Sequence, residues 1–154
     1  MRNLQIYCVL AIFGLLGSMA LLGRFPVASA AIGPVEYLTI CGAKQPNTRD
    51  KTCIVDGDTL WLGGVNVRLK DFDTPEPRNN ICGSFFEIDL ANAATLRLQE
   101  LLNSNPWTID TFGIDGTGER RLAMIKIEGE DVGDILIRER LARHWPDSDE
   151  FWCK

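Results

Sequence analysis

Histidine is nearly missing from this chain: His144 is the single one among 154 residues. No Cys-x-x-Cys spacing occurs either. Together these absences argue against a zinc site, which draws Cys and His ligands from short, regular intervals. A positive charge excess is missing too, since 16 Lys and Arg stand against 21 Asp and Glu. The chain therefore lacks the broad basic footprint of a protein that holds nucleic acid by charge alone. No internal repeat or low-complexity tract is visible, and the length suits one domain.

Acidic residues are absent from positions 1–30, where the only charges are Arg2 and Arg24. The run from Leu4 to Leu22 is almost wholly apolar, and Ala28-Ser29-Ala30 follows as a small-x-small pattern. This reads as a secretory signal peptide cleaved after Ala30. The alternative is a membrane anchor formed by residues 4–22, near the lower limit of roughly 17–25 residues for a span. The protein is thus expected to be secreted or periplasmic, or else held at a membrane by that run. Removing residues 1–30 leaves 14 basic and 21 acidic side chains, a formal charge of −7. A small site where a bound cation and arginines reverse the local sign is compatible with that charge.

Cysteine usage points the same way. Cys8 falls in the leader, and Cys41, Cys53, Cys82 and Cys153 remain. An even count in an exported chain favours two disulfides, and four cysteines allow three pairings. Cys41–Cys53 and Cys82–Cys153 are the favoured ones, the first closing a short loop and the second tying down the C-terminus.

Residues 31–51 read as a lead-in, with a short strand at Tyr37–Ile40, and the domain proper as 52–154. Strands are expected at Thr52–Val55, Thr59–Leu62 and Val65–Leu69, the last two joined by Gly63-Gly64 as a two-residue hairpin turn. Alternation in the third strand puts Val65, Val67 and Leu69 on one face and Arg68 on the other. An amphipathic helix follows over Glu87–Leu102, with Ala91, Ala94, Leu98, Leu101 and Leu102 on its apolar side. Further strands are expected at Trp107–Phe112 and Arg121–Glu128, then a second helix from about Val132 to Ala142, capped by Asp131. This α+β pattern suits a five-stranded OB-type barrel with two helices packed outside.

The chemistry concentrates in two acidic motifs. Asp56-Gly57-Asp58-Thr59 and Asp73-Thr74-Pro75-Glu76 flank Arg68. Hard cations take oxygen ligands, and carboxylates placed by tight turns hold them. Arg is the side chain that clamps a phosphodiester through paired hydrogen bonds. Attack on phosphorus builds negative charge on its oxygens, which a cation and guanidinium groups stabilise.

These motifs resemble the staphylococcal nuclease (thermonuclease) family. The likeness runs through Val55-Asp56-Gly57-Asp58-Thr59, Val67-Arg68-Leu69-Lys70-Asp71-Phe72-Asp73-Thr74-Pro75-Glu76, Arg120-Arg121-Leu122-Ala123 and Leu136–Ala142, about Thr52 to Arg143. The resemblance implies an OB fold and Ca²⁺-dependent hydrolysis of DNA or RNA by a monomer. It further implies Asp58 and Asp73 as carboxylate ligands of calcium and Thr74 as a carbonyl ligand. Glu76 is implied as general base, and Arg68 and Arg120 as the phosphate-binding arginines. The chain departs from the family in its 115–120 loop, one residue longer, so Arg121 rivals Arg120 and Glu119 is a candidate partner for either. Lys70 and Asp71 also stand where the family tends to be apolar, and a third helix is missing at the C-terminus. Exported, cysteine-bearing proteins of this type resemble ones encoded beside bacterial exopolysaccharide genes. A non-nucleolytic accessory role in succinoglycan-like polysaccharide synthesis is therefore an alternative. Another is an OB-fold module that binds oligonucleotide or oligosaccharide uncut, with Trp61, Trp107 and Trp145 as candidate stacking surfaces.

Overall fold

A computed structural model describes residues 37–78, 81–146 and 149–153; the expected leader lies outside them. The fold is α+β. In chain order the elements are β1 (Cys53–Ile54), β2 (Thr59–Leu62), β3 (Val65–Leu69), β4 (Phe72–Asp73), α1 (Phe85–Ser104), β5 (Trp107–Ile114), β6 (Arg121–Ile127), β7 (Glu130–Asp131), α2 (Val132–Arg138), β8 (Arg143–His144) and a 3-10 turn at Phe151–Cys153. One mixed sheet runs β1-β2-β3-β6-β5, with β7 also on β6, and β4 and β8 form a separate ribbon.

The sheet is open rather than a closed barrel. Its terminal strands β1 and β5 do not pair with each other among the described residues. The free edge of β1 is taken instead by the preceding chain: Ile54 N–H donates to Thr39 O (2.9 Å), and Cys41 N–H donates to Ile54 O (2.8 Å). A strand edge filled in this way offers no hydrogen bonds to a closing strand. The lead-in is accordingly part of the packed structure from Leu38 onward. Leu38 is buried in the core, and its backbone is gripped by Asn103 and Gln99 of α1. Of the strand expected at Tyr37–Ile40, only the single bridge Ile40–Ile54 forms.

Apolar periodicity accounts for the core. In β6, Ala123, Ile125 and Ile127 are buried and alternate with partly exposed neighbours. They face Leu98, Leu101 and Leu102 of α1 and Val132, Ile135 and Leu136 of α2 in one cluster with Leu60, Val67 and Leu69. The hairpin at Gly63-Gly64 forms with both glycines at positive φ. Gly64 is required there for a second reason, because a Cβ would stand 2.6 Å from the Arg49 carbonyl oxygen.

Helix boundaries shift for local reasons. The first helix begins two residues earlier than its apolar pattern suggests, because Ser84 caps it and accepts from Glu87 N–H. The second is capped by Asp131 as expected but stops at Arg138 rather than Ala142. Arg140 adopts φ 61°, and Arg140 N–H and Leu141 N–H bond back to Ile137 O and Leu136 O. That left-handed closure satisfies the last carbonyls and ends the helix.

Both favoured disulfides are present, Cys41–Cys53 and Cys82–Cys153. Such bonds persist in oxidising surroundings. Among the described residues, no helix is long and apolar enough to cross a membrane.

Candidate functional site

The two acidic motifs meet, and a tight approach between their turns is what joins them. The 55–59 turn closes through Val55 N–H and Asp56 N–H on Thr59 O, while Asp56 Oδ1 accepts from Asp58 N–H (3.3 Å). Gly57 at its tip lies against the second motif: a Cβ would fall 2.7 Å from Thr74 Cγ2 and 2.8 Å from Ala94 Cβ of α1. Only a residue without a side chain lets the turns approach this far. Asp58 is thereby buried beside Thr74, whose N–H donates to Asp58 Oδ2 (3.3 Å), and Thr59 Oγ1 donates to its Oδ1 (2.8 Å).

Strand register supplies the guanidinium. The pairing of β2 with β3 sets Arg68 opposite Thr59, on the side away from the core. Arg68 Nη1 lies 2.9 Å from Asp58 Oδ1, and its Nη2 lies 2.8 Å from Asp73 Oδ1. One planar cation therefore bridges the two carboxylates expected to hold calcium. Asp73 is held from its other side by Arg143, which the sequence reading missed. The β4–β8 ribbon pairs Asp73 with Arg143, and Arg143 donates to Asp73 Oδ2 from Nε (3.1 Å) and Nη2 (3.0 Å). Arg143 is itself buried. It pairs with Glu150 (2.9 Å) and lies near the rings of Trp145 and Trp152.

Above this floor opens a cleft of about 670 Å³, lined by Arg68, Asp73, Glu76, Arg120, Arg143 and Trp145 among others. Arg120 points into it and Arg121 does not line it. Arg121 begins β6 and turns its Nη1 to Phe112 O (3.2 Å). The partner of Arg120 is Asp115 (2.6 Å from Nε), where the sequence had offered Glu119. Asp115 also collects Thr117 Oγ1 and so folds the 115–120 loop around itself. The Thr117 hydroxyl and then Arg120 hold its carboxyl well below the usual range.

The electrostatics favour a cation. Burial pushes the Asp58 carboxyl up to about 8, Asp56 and Asp73 add to the rise, and Arg68 and Thr59 oppose it. Burial likewise raises Glu76 above the ordinary carboxylate value, with Asp56 next, while Arg68 and Arg120 pull it back. Burial lowers Arg68, but Asp58, Asp73 and Asp56 outweigh it and its pKa rises. Carboxyl groups thus crowd a partly buried place, and at neutral pH the buried Asp58 holds a proton that a cation would displace. Among the described residues, no three Asp, Glu, His or Cys side chains form a metal cage by themselves. Two carboxylates that share one guanidinium are a donor set of the kind a hard, oxygen-seeking cation takes. The guanidinium already standing between Asp58 and Asp73 shows that the donor set accepts positive charge.

Of the candidate stacking residues, Trp107 is core and donates to Leu102 O, and Trp61 is half-buried under Lys51. Trp145 is 56% exposed at the cleft. Nothing in the sequence marked Arg143, since a two-residue strand leaves no periodic trace, or Glu150, which lies outside any element. Asp115 had a signal, because Asp-x-Thr is a side-chain-capped turn pattern. Neither a known family model nor a curated protein matches the chain.

Proposed function

We propose that this chain is an exported, Ca²⁺-dependent phosphodiesterase that cleaves DNA or RNA as a monomer, on an OB-type scaffold of the staphylococcal nuclease kind. The observation that carries this reading is Arg68 bonded to both Asp58 and Asp73 at the floor of a cleft that Glu76 and Arg120 also line. The strand order, an antiparallel run followed by the parallel pair β3–β6, supports a partly open five-stranded barrel.

In this reading Asp58, Asp73 and Thr74 would hold the ion, whose positive charge would stabilise a phosphoryl oxygen. Arg68 and Arg120 grip the phosphate and stabilise the charge that grows on it. Asp115 restrains Arg120, so the guanidinium is oriented before substrate arrives. Glu76 takes the proton of the attacking water, and its raised pKa brings it closer to the operating pH of a base.

The test is hydrolysis of denatured DNA by the protein with calcium and with chelator. Cleavage is expected only with calcium, and Glu76→Ala should lower it by roughly 10²–10⁴-fold. Cleavage that ignores chelator, or that survives Glu76→Ala, removes the mechanism. The exposed Trp145 at the cleft favours a second reading, a module that binds a chain by stacking and does not cut it. Tight binding of oligonucleotide without turnover, unchanged by Glu76→Ala, would select that reading.

A further inference from the structure

Two arginines divide Asp73 between them, and their surroundings differ. Arg143 is 8% exposed at its side chain, holds Oδ2 by two hydrogen bonds, pairs with Glu150 and lies 5.2 Å and 5.6 Å from the rings of Trp145 and Trp152. Arg68 is 20% exposed, holds Oδ1, and faces the cleft. Arg68 also takes Asp58 Oδ1, the other carboxylate of the proposed ion site. A divalent cation that binds Asp58 and Asp73 must therefore compete with Arg68. It need not disturb Arg143.

We propose that Arg143 is a positioning residue, pinning Asp73 through Oδ2 so that a divalent cation replaces Arg68 alone at Asp73 Oδ1 and Asp58. This rests on the calcium reading above and goes beyond it. Two consequences follow from the geometry. Asp73 offers the ion one oxygen rather than two, because the other stays bonded to Arg143. Arg68, displaced on its own strand, swings into the cleft it already lines, where the phosphate would lie. Loading the ion would thus free the side chain that lines the cleft.

The experiment is side-chain NMR of the full protein with ¹⁵N-labelled arginine, the Nε–H signals assigned through the backbone, during titration with calcium chloride. The expected result is that the Arg68 Nε–H signal shifts and exchanges faster with water as calcium is added, while the Arg143 signal keeps its position and protection. Calcium affinity is measured in parallel by calorimetry. Arg143→Met should weaken calcium at least tenfold and Arg143→Lys less, whereas Arg68→Met should bind it no more weakly than the unaltered protein. The NMR arm needs no substitution, so it decides the matter even if Arg143→Met fails to fold. Calcium binding at Asp58 and Asp73 with the Arg68 signal unmoved, or with both arginine signals moving together, overturns this inference and leaves the calcium site standing. Calcium that perturbs neither carboxylate overturns the calcium reading and this inference with it.

Discussion

Replacing Gly57 by alanine tests whether close approach of the two turns builds the site. The added Cβ would lie 2.7 Å from Thr74 Cγ2, 2.8 Å from Ala94 Cβ and 2.9 Å from Thr74 Oγ1. All three belong to buried residues, so none yields freely. Overpacking of this kind costs about 1–3 kcal/mol. Against it stands the entropy that alanine removes from the unfolded chain, worth about 0.4–1 kcal/mol. The clash wins, and Gly57→Ala should destabilise by about 1–2 kcal/mol, several degrees in Tm. Cleavage should suffer more than stability, because relief by displacement moves Asp58 away from Asp73. A misplacement of about 1 Å costs on the order of 10²-fold in rate. Thr74→Ser removes Cγ2, the nearest obstacle, and should restore part of both losses in the double variant. Thermal unfolding by circular dichroism and the calcium-dependent cleavage assay read the two effects. An unchanged Tm for Gly57→Ala, or no relief from Thr74→Ser, refutes the packing argument.

Two further predictions follow from charge and connectivity. Burial raises the Asp58 carboxyl to about 8, so a calcium ion bound there must displace a proton at neutral pH and its affinity should fall as pH drops from 8 to 6. Calorimetry in buffers of different ionisation heat should show about one proton released. The sign for the ion-free protein is opposite: a raised folded pKa stabilises fully below the unfolded value near 3.9 and less as pH climbs through 8. Ion-free stability that rises with pH across this window would contradict the burial of Asp58. For the disulfides, sequence separations of 12 and 71 predict chain-entropy contributions of about 3 and about 4 kcal/mol. Serine pairs at Cys82 and Cys153 should therefore lower the unfolding free energy more than pairs at Cys41 and Cys53, as measured by urea denaturation.

Much of the architecture was legible because it obeys local rules. The Gly63-Gly64 hairpin, the buried stripe of α1, the alternation in β6 and the Asp131 cap all follow from spacing within short windows. What escaped depends on contacts between distant segments. The β4–β8 ribbon joins two-residue strands 70 positions apart, and Arg143 reaches Asp73 only through it. Leu38 looked like a lead-in residue because its partners, Gln99 and Asn103, lie more than sixty positions away. The barrel expectation came from strand count, and strand count says nothing of what fills an edge. The parallel pairing of β3 with β6 brings Arg120 and its loop to the cleft that Arg68 lines, and no periodicity encodes it.

That long-range pairing has a consequence for synthesis. Arg68 finds its strand neighbour at Leu122, and Asp73 finds its anchor at Arg143, 70 positions later. A nascent chain lacking those residues has the Gly57–Thr74 contact and Arg68 to join its acidic loops, but not the anchor on Asp73 Oδ2. The bond between Cys82 and Cys153 waits for a cysteine 71 positions later and an oxidising compartment. Completion of the acidic floor thus waits on the 143–153 segment, which supplies both the second arginine and the closing cysteine.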